Sequence, residues 1–126
     1  MSGSEKILGI TGAFGYIVKR LIENLKTKDD FHRVVCLDIV EPAEKLPDRF
    51  IFRRCDVRNI ENVVQIFQET NINTVVHLAF IAHPTRDPGF EHDVDITGTK
   101  NILLACEKMK VQKLVVASSD CAYGFF

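Results

Sequence analysis

Five short apolar runs alternate with stretches whose apolar residues recur at helical spacing, and this alternation restricts the fold more than any other feature. Lys6–Thr11 reads as a first strand. Tyr16–Leu25 then places Ile17, Leu21, Ile22 and Leu25 on one helical face. Arg33–Leu37, rich in Val, is a second strand and Arg49–Arg53 a short third. Asn59 predicts the N-cap of a helix carrying Ile60, Val63, Val64, Ile66 and Phe67. Thr74–Leu78 is a fourth strand. A long helix follows Gly89-Phe90 through Ile96, Ile102, Leu103 and Cys106, with Lys108 and Lys110 near its end, where cations favour the helix dipole. Lys113–Ala117 is a fifth strand. Strands alternating with helices imply βαβ units and a parallel sheet. The unbroken runs Val34-Val35-Cys36-Leu37 and Leu114-Val115-Val116-Ala117 fit strands covered on both faces.

Composition narrows the classes. A chain of 126 residues corresponds to one domain, and 46% hydrophobic with 26% charged residues excludes whole-chain disorder. Sixteen basic against seventeen acidic residues give a net charge of -1, so no long-range field favours nucleic acid or an anionic membrane. No apolar run approaches the ~20 residues of a membrane span, and Met1–Lys6 lacks the pattern of a signal peptide. The cysteines, Cys36, Cys55, Cys106 and Cys121, form no C-x-x-C pair. Cys36 and Cys106 are expected to be buried and reduced, in a cytoplasmic protein.

In parallel α/β sheets, ligands bind beyond the carboxyl ends of the strands, at the switch in strand order. After the first strand stands Thr11-Gly12-Ala13-Phe14-Gly15-Tyr16-Ile17. Gly12 permits a sharp turn and Gly15 lets backbone N–H groups approach a pyrophosphate, with the dipole of the next helix behind them. A tight turn without ligand is the alternative. The Gly-Lys-Ser/Thr of an ATP-type loop is absent. The second strand ends at Asp38, whose carboxylate can accept both hydroxyls of an adenosine ribose and would repel a 2′-phosphate. Ile39 and Val40 follow Asp38, with no Arg immediately beside it in sequence to hold such a phosphate, and this favours NAD over NADP. A solvated turn residue is the competing reading of Asp38.

These residues, followed by Cys55-Asp56-Val57-Arg58, Val75-Val76-His77-Leu78-Ala79, Gly98-Thr99-x-Asn101-Ile102-Leu103 and Val116-Ala117-Ser118-Ser119-Asp120-Cys121-Ala122-Tyr123-Gly124, resemble the extended short-chain dehydrogenase/reductase family, the NAD-dependent epimerase/dehydratase group. The resemblance covers nearly the whole chain. It implies a Rossmann-type doubly wound parallel sheet, incomplete, with strands one to five of the order 3-2-1-4-5-6. By resemblance, Gly12, Phe14, Gly15, Tyr16 and Ile17 cradle the pyrophosphate, and Asp38 holds the ribose. Asp56 and Val57 contact the adenine, and Leu78, Ala79, Phe80 and Ser118 belong to the cofactor side of the site. Ser119 matches the catalytic residue that orients the reacting hydroxyl or carbonyl. A hydroxyl suits this task because it both donates and accepts.

Three departures stand out. Val18 occupies the position of the family's third glycine, while Gly9 replaces a strand side chain; a size exchange, Val18 packing over Gly9, is expected. Asp95 stands where the family has Asn, and a carboxylate only accepts where an amide also donates. A solvated helix-face position is the alternative for Asp95. The family's catalytic Y-x-x-x-K is absent from these residues, so Tyr16 and Tyr123 are not general acids. Residues 1–126 are therefore expected to be the NAD(P)-binding portion of a larger enzyme acting on a nucleotide sugar or related alcohol, and inactive alone. The competing expectation is a non-catalytic dinucleotide-sensing or interaction module. The expected partners are the dinucleotide, a small-molecule substrate in the intact enzyme, and a second copy in a homodimer that covers the apolar fifth strand. His77, His83 and His92 lack metal-ligand spacing, so no metal is expected. Arg86 and the Arg53-Arg54 pair read as surface cations; the alternatives are a substrate phosphate and a role in NADP binding.

Overall fold

Val34, Val35, Cys36 and Leu37 are successive residues and all are buried, which a strand achieves only when both its faces are covered. The computed structural model describes residues 5–12, 16–27, 30–42, 45–78, 89 and 93–116, with backbone only at 16–19, 93 and 95. The elements are β1 (Ile7–Thr11), α1 (Tyr16–Lys26), β2 (Arg33–Asp38), β3 (Phe50–Arg54), α2 (Ile60–Thr70), β4 (Thr74–His77), α3 (Gly98–Lys108) and β5 (Lys113–Val116). The strands form one sheet in the order β3-β2-β1-β4-β5, every pair parallel. This is the Rossmann-type order, and each observed strand starts and ends within one residue of its expected bounds.

Strand alternation sorts the core into two layers. Leu8, Ile10, Val34 and Cys36 face α1 through Ile22 and Leu25. Ile7, Val35, Leu37 and Val75 face α2 and α3 through Val63, Phe67, Ile102 and Ala105. Gly9 belongs to the second face. A Cβ there would lie 2.7 Å from Cδ1 of Ile72, a buried residue between α2 and β4. The expected exchange of Val18 with Gly9 is therefore wrong: position 9 points away from α1, and Ile72 fills its room.

Local chemistry fixes the helix ends. The Asn59 side chain accepts the Asn62 N–H at 3.2 Å, the predicted cap of α2. Asn71 closes that helix in the left-handed region at φ 56°, its N–H returning to the Phe67 carbonyl. Beyond α1, the Arg49 guanidinium donates to the carbonyls of Leu25 and Phe31 and lies over the Phe50 ring. At the amino end of the sheet, Asn73 accepts from the Ile7 N–H and donates to the Glu5 carbonyl, tying β1 to β4. The long helix expected after Gly89-Phe90 is α3, led in by one wider π-helical turn at Asp93–Thr97. β5 pairs with β4 and is the outer strand among the described residues, with Val115 and Val116 exposed. No helix among the described residues is long and apolar enough to cross a membrane.

Candidate dinucleotide site at the switch point

The carboxyl ends of β1 and β4 adjoin at the centre of the sheet, and the chain leaves them in opposite directions: from β1 toward β2, from β4 toward β5. Such a divergence opens a crevice at the strand ends. Gly12 follows β1 directly with φ 67°, a left-handed conformation that glycine adopts more readily than residues with a Cβ. The helix that begins at Tyr16 points its amino end to the same place.

Asp38 ends β2 beside this turn and is half-buried. Its carboxylate accepts the Val40 N–H at 3.1 Å, so the chain bends away from the strand end. The Asp38 carbonyl accepts the Cys55 N–H at 3.0 Å, extending the ladder toward the β3–α2 loop. In that loop Asp56 accepts from the Arg58 backbone N–H and Nε at 3.0 Å and from its terminal nitrogen at 2.8 Å. Hydrogen bonding to Arg58 holds the Asp56 carboxyl below its ordinary range. The Asp56 N–H donates to Asn62, and the Val57 carbonyl accepts from the Asn101 amide at 2.9 Å. The loop is thereby pinned to both α2 and α3.

Below the turn lies a buried polar chain. Thr11 Oγ1 and His77 Nδ1 are 2.6 Å apart, and His77 Nε2 is 3.0 Å from Thr99 Oγ1. Thr11 Oγ1 also accepts the Leu78 N–H at 2.9 Å. Burial pushes His77 down to about 4, so the ring is neutral at physiological pH.

Of the residues expected at the site, the structure brings Gly12, Asp38, Asp56, Val57 and Leu78 to the carboxyl edge of the sheet, and places the backbone of Tyr16 and Ile17 in the first turn of α1. Phe14, Gly15, Ala79, Phe80, Ser118 and Ser119 lie outside the described residues, as do His83, Arg86, His92 and Tyr123. For Asp95 the backbone falls in the π-helical turn. Sequence reasoning missed the partnership of Thr11 with His77 and the anchoring of Val57 by Asn101. Both Thr99 and Asn101 stand in a quoted motif, but their partners are 22 and 44 residues away in sequence. Among the described residues no group of three or more His, Cys, Asp or Glu side chains is gathered for a metal.

A glycine in the left-handed region, a helix amino end and an acidic strand terminus at the switch point define a dinucleotide-fold domain, and these residues fit a dinucleotide. The chain belongs to the NAD dependent epimerase/dehydratase family, whose model matches residues 8–125. Short-chain dehydrogenase/reductase family 42E member 1 of Macaca fascicularis is 34% identical over an alignment of 121 residues that covers 94% of this chain and 30% of the relative. The dTDP-D-glucose 4,6-dehydratase of Dictyostelium discoideum is 28% identical over 133 residues, covering 95% of this chain and 30% of the relative. The chain thus spans about a third of the length of the curated relatives it matches, 30% for these two. Among solved structures, the Thermus thermophilus UDP-glucose 4-epimerase complex with NAD aligns at TM-score 0.78 and 30% identity, over 90% of this chain and 37% of that one. Bordetella bronchiseptica WbmG in complex with NAD reaches TM-score 0.84 at 21% identity, over 97% of this chain and 40% of that one, a likeness of fold.

Proposed function

We propose that this chain is the cofactor-binding part of an NAD-dependent oxidoreductase of the epimerase/dehydratase type. The observation that carries the reading is Gly12, held at φ 67° where β1 and β4 part, with Asp38 ending the neighbouring strand. Gly12, Phe14, Gly15, Tyr16 and Ile17 would hold the pyrophosphate by backbone N–H groups, and Asp38 the adenosine ribose. Asp56 and Val57 would bound the adenine, and Leu78, Ala79, Phe80 and Ser118 the nicotinamide side. When bound, the nicotinamide supplies a hydride acceptor or donor for a substrate carbinol carbon. Ser119 would orient that substrate oxygen.

The reading takes NAD in preference to NADP, since a carboxylate opposes a 2′-phosphate. It takes a nucleotide sugar or related alcohol as substrate, bound with help from chain such as the longer relatives carry, and a cytoplasmic setting. The exposed Ile96, Leu103 and Leu104 of α3 and its approach support a homodimer through that face. Calorimetric titration of the chain with NAD and NADP tests the cofactor assignment. Saturable binding of NAD, tighter than NADP, is expected; no binding of either overturns it. No turnover of NAD with a nucleotide sugar is expected from these 126 residues alone.

A further inference from the structure

His77 is fully buried, yet each of its ring nitrogens meets a hydroxyl from a different element: Thr11 of β1 and Thr99 of α3. Thr11 is the last residue of β1 and is bonded directly to Gly12, whose left-handed backbone makes the turn. We propose that His77 is a positioning residue for that turn: its bond to the Thr11 hydroxyl sets where the Gly12 backbone lies, and its bond to Thr99 seats the amino end of α3 on the same point. Three elements that the chain does not connect locally are joined at one imidazole. The ring suits the position because it is neutral, with one nitrogen donating and the other accepting, and because it spans a gap that a hydroxyl or a short amide cannot bridge at both ends.

The Thr11 hydroxyl also accepts the Leu78 N–H, so a ring that holds Thr11 holds the first step of the chain out of β4 as well. The seam at which β1 and β4 diverge is thus closed by the side chains of the last pair of the β ladder, Thr11 and His77. An apolar residue of similar size at position 77 would fill the space but deprive both hydroxyls of this partner.

The two bonds separate experimentally. An Asn side chain places its amide near Nδ1 and a Gln side chain near Nε2. His77→Asn therefore keeps Thr11 and loses Thr99, whereas His77→Gln keeps Thr99 and loses Thr11. Amide hydrogen exchange is measured on the cofactor-free chain, with the amides of β2 as internal reference. His77→Gln and the isosteric Thr11→Val are expected to speed exchange at Gly12 and Leu78 by roughly three- to tenfold, the scale of one hydrogen bond, with β2 unchanged. His77→Asn is expected to leave Gly12 and Leu78 close to the parent. Equal acceleration at every site, or none at Gly12 and Leu78, overturns the proposal. If His77→Gln does not fold, Thr11→Val against Thr11→Ser carries the comparison at Gly12 alone, because Thr11→Val also removes the acceptor of the Leu78 N–H directly. The effect on cofactor rests on the function proposed above: NAD affinity falls by the same factor in His77→Gln and Thr11→Val but not in His77→Asn. A parent chain that binds no NAD refutes that function, while the exchange pattern still decides the role of His77.

Discussion

Gly98 and Val57 approach so closely that a Cβ on Gly98 would stand 2.6 Å from Val57 Cγ2 and 3.3 Å from its Cβ. The contact seats the first turn of α3 on the β3–α2 loop, and Asn101 completes it through the Val57 carbonyl. Gly98→Ala therefore forces either α3 or the loop to move. Overpacking of this kind costs about 1–3 kcal/mol, against a helix-propensity gain of at most about 1. Urea denaturation should show a net loss, and Val57→Ala in the same chain should recover most of it. A Gly98→Ala chain as stable as the parent would show that Val57 yields without cost.

The buried imidazole gives the fold an acid-sensitive term. An unfolded His titrates near 6.5, whereas burial keeps His77 neutral down to about 4. Between those values the unfolded chain binds the extra proton, so stability rises with pH and is lost as pH falls through the window. The full loss is about 3 kcal/mol near the lower end. Asp56, drawn down by Arg58, contributes stability that is lost only at lower pH, below its unfolded value near 3.8. Urea midpoints at about pH 7.5 and about pH 4.5 should differ markedly in the parent and much less in His77→Gln. Parallel pH profiles for the two chains would refute the assignment.

The layered architecture was legible because it is written in local periodicities. Arg33–Asp38 has nearly unbroken apolar character, and Tyr16–Lys26 repeats at helical spacing. Asn59 announces α2 because a cap acts within its own turn. The places of Gly12 and Asp38 at strand ends were legible for a related reason: the strand bounds themselves are written in local apolar runs. The features missed depend on which distant residues meet. Nothing near Gly9 in sequence indicates that Ile72 occupies its space, and nothing near Thr11 announces His77. The π-helical turn at Asp93–Thr97 escaped because it shifts apolar spacing by only one residue, within the tolerance of an amphipathic pattern.

The free thiols of Cys36, Cys55 and Cys106 are all buried. Burial pushes Cys36 and Cys55 up to about 12, with the Asp56 charge adding to Cys55, and Cys106 to about 11. The reactive thiolate is therefore scarce at neutral pH. Iodoacetamide followed by peptide mass spectrometry should leave these three unmodified in the native chain and modify them fully in urea. Rapid native labelling of any one would show that its layer of the core opens readily.

A carboxylate and a cation stand side by side at the ends of β2 and β3. Asp38 is in register with Arg54 across β2 and β3, and the Arg54 guanidinium donates to the Ile39 carbonyl and the Glu41 carboxylate. Arg54 and Glu41 are both well exposed, so their pairing contributes at most about 1 kcal/mol and the guanidinium can turn to another anion. Under the proposed function, Asp38 is what opposes a 2′-phosphate in the presence of this cation. Asp38→Ser keeps an acceptor for the Val40 N–H but removes the charge. NAD affinity should fall about tenfold, the scale of a hydrogen bond to a charged group, while NADP affinity rises. Adding Arg54→Ala should abolish the NADP gain. Calorimetry on the three chains decides it: tighter NADP binding by the parent, or equal loss of both cofactors in Asp38→Ser, would remove Asp38 from the ribose site.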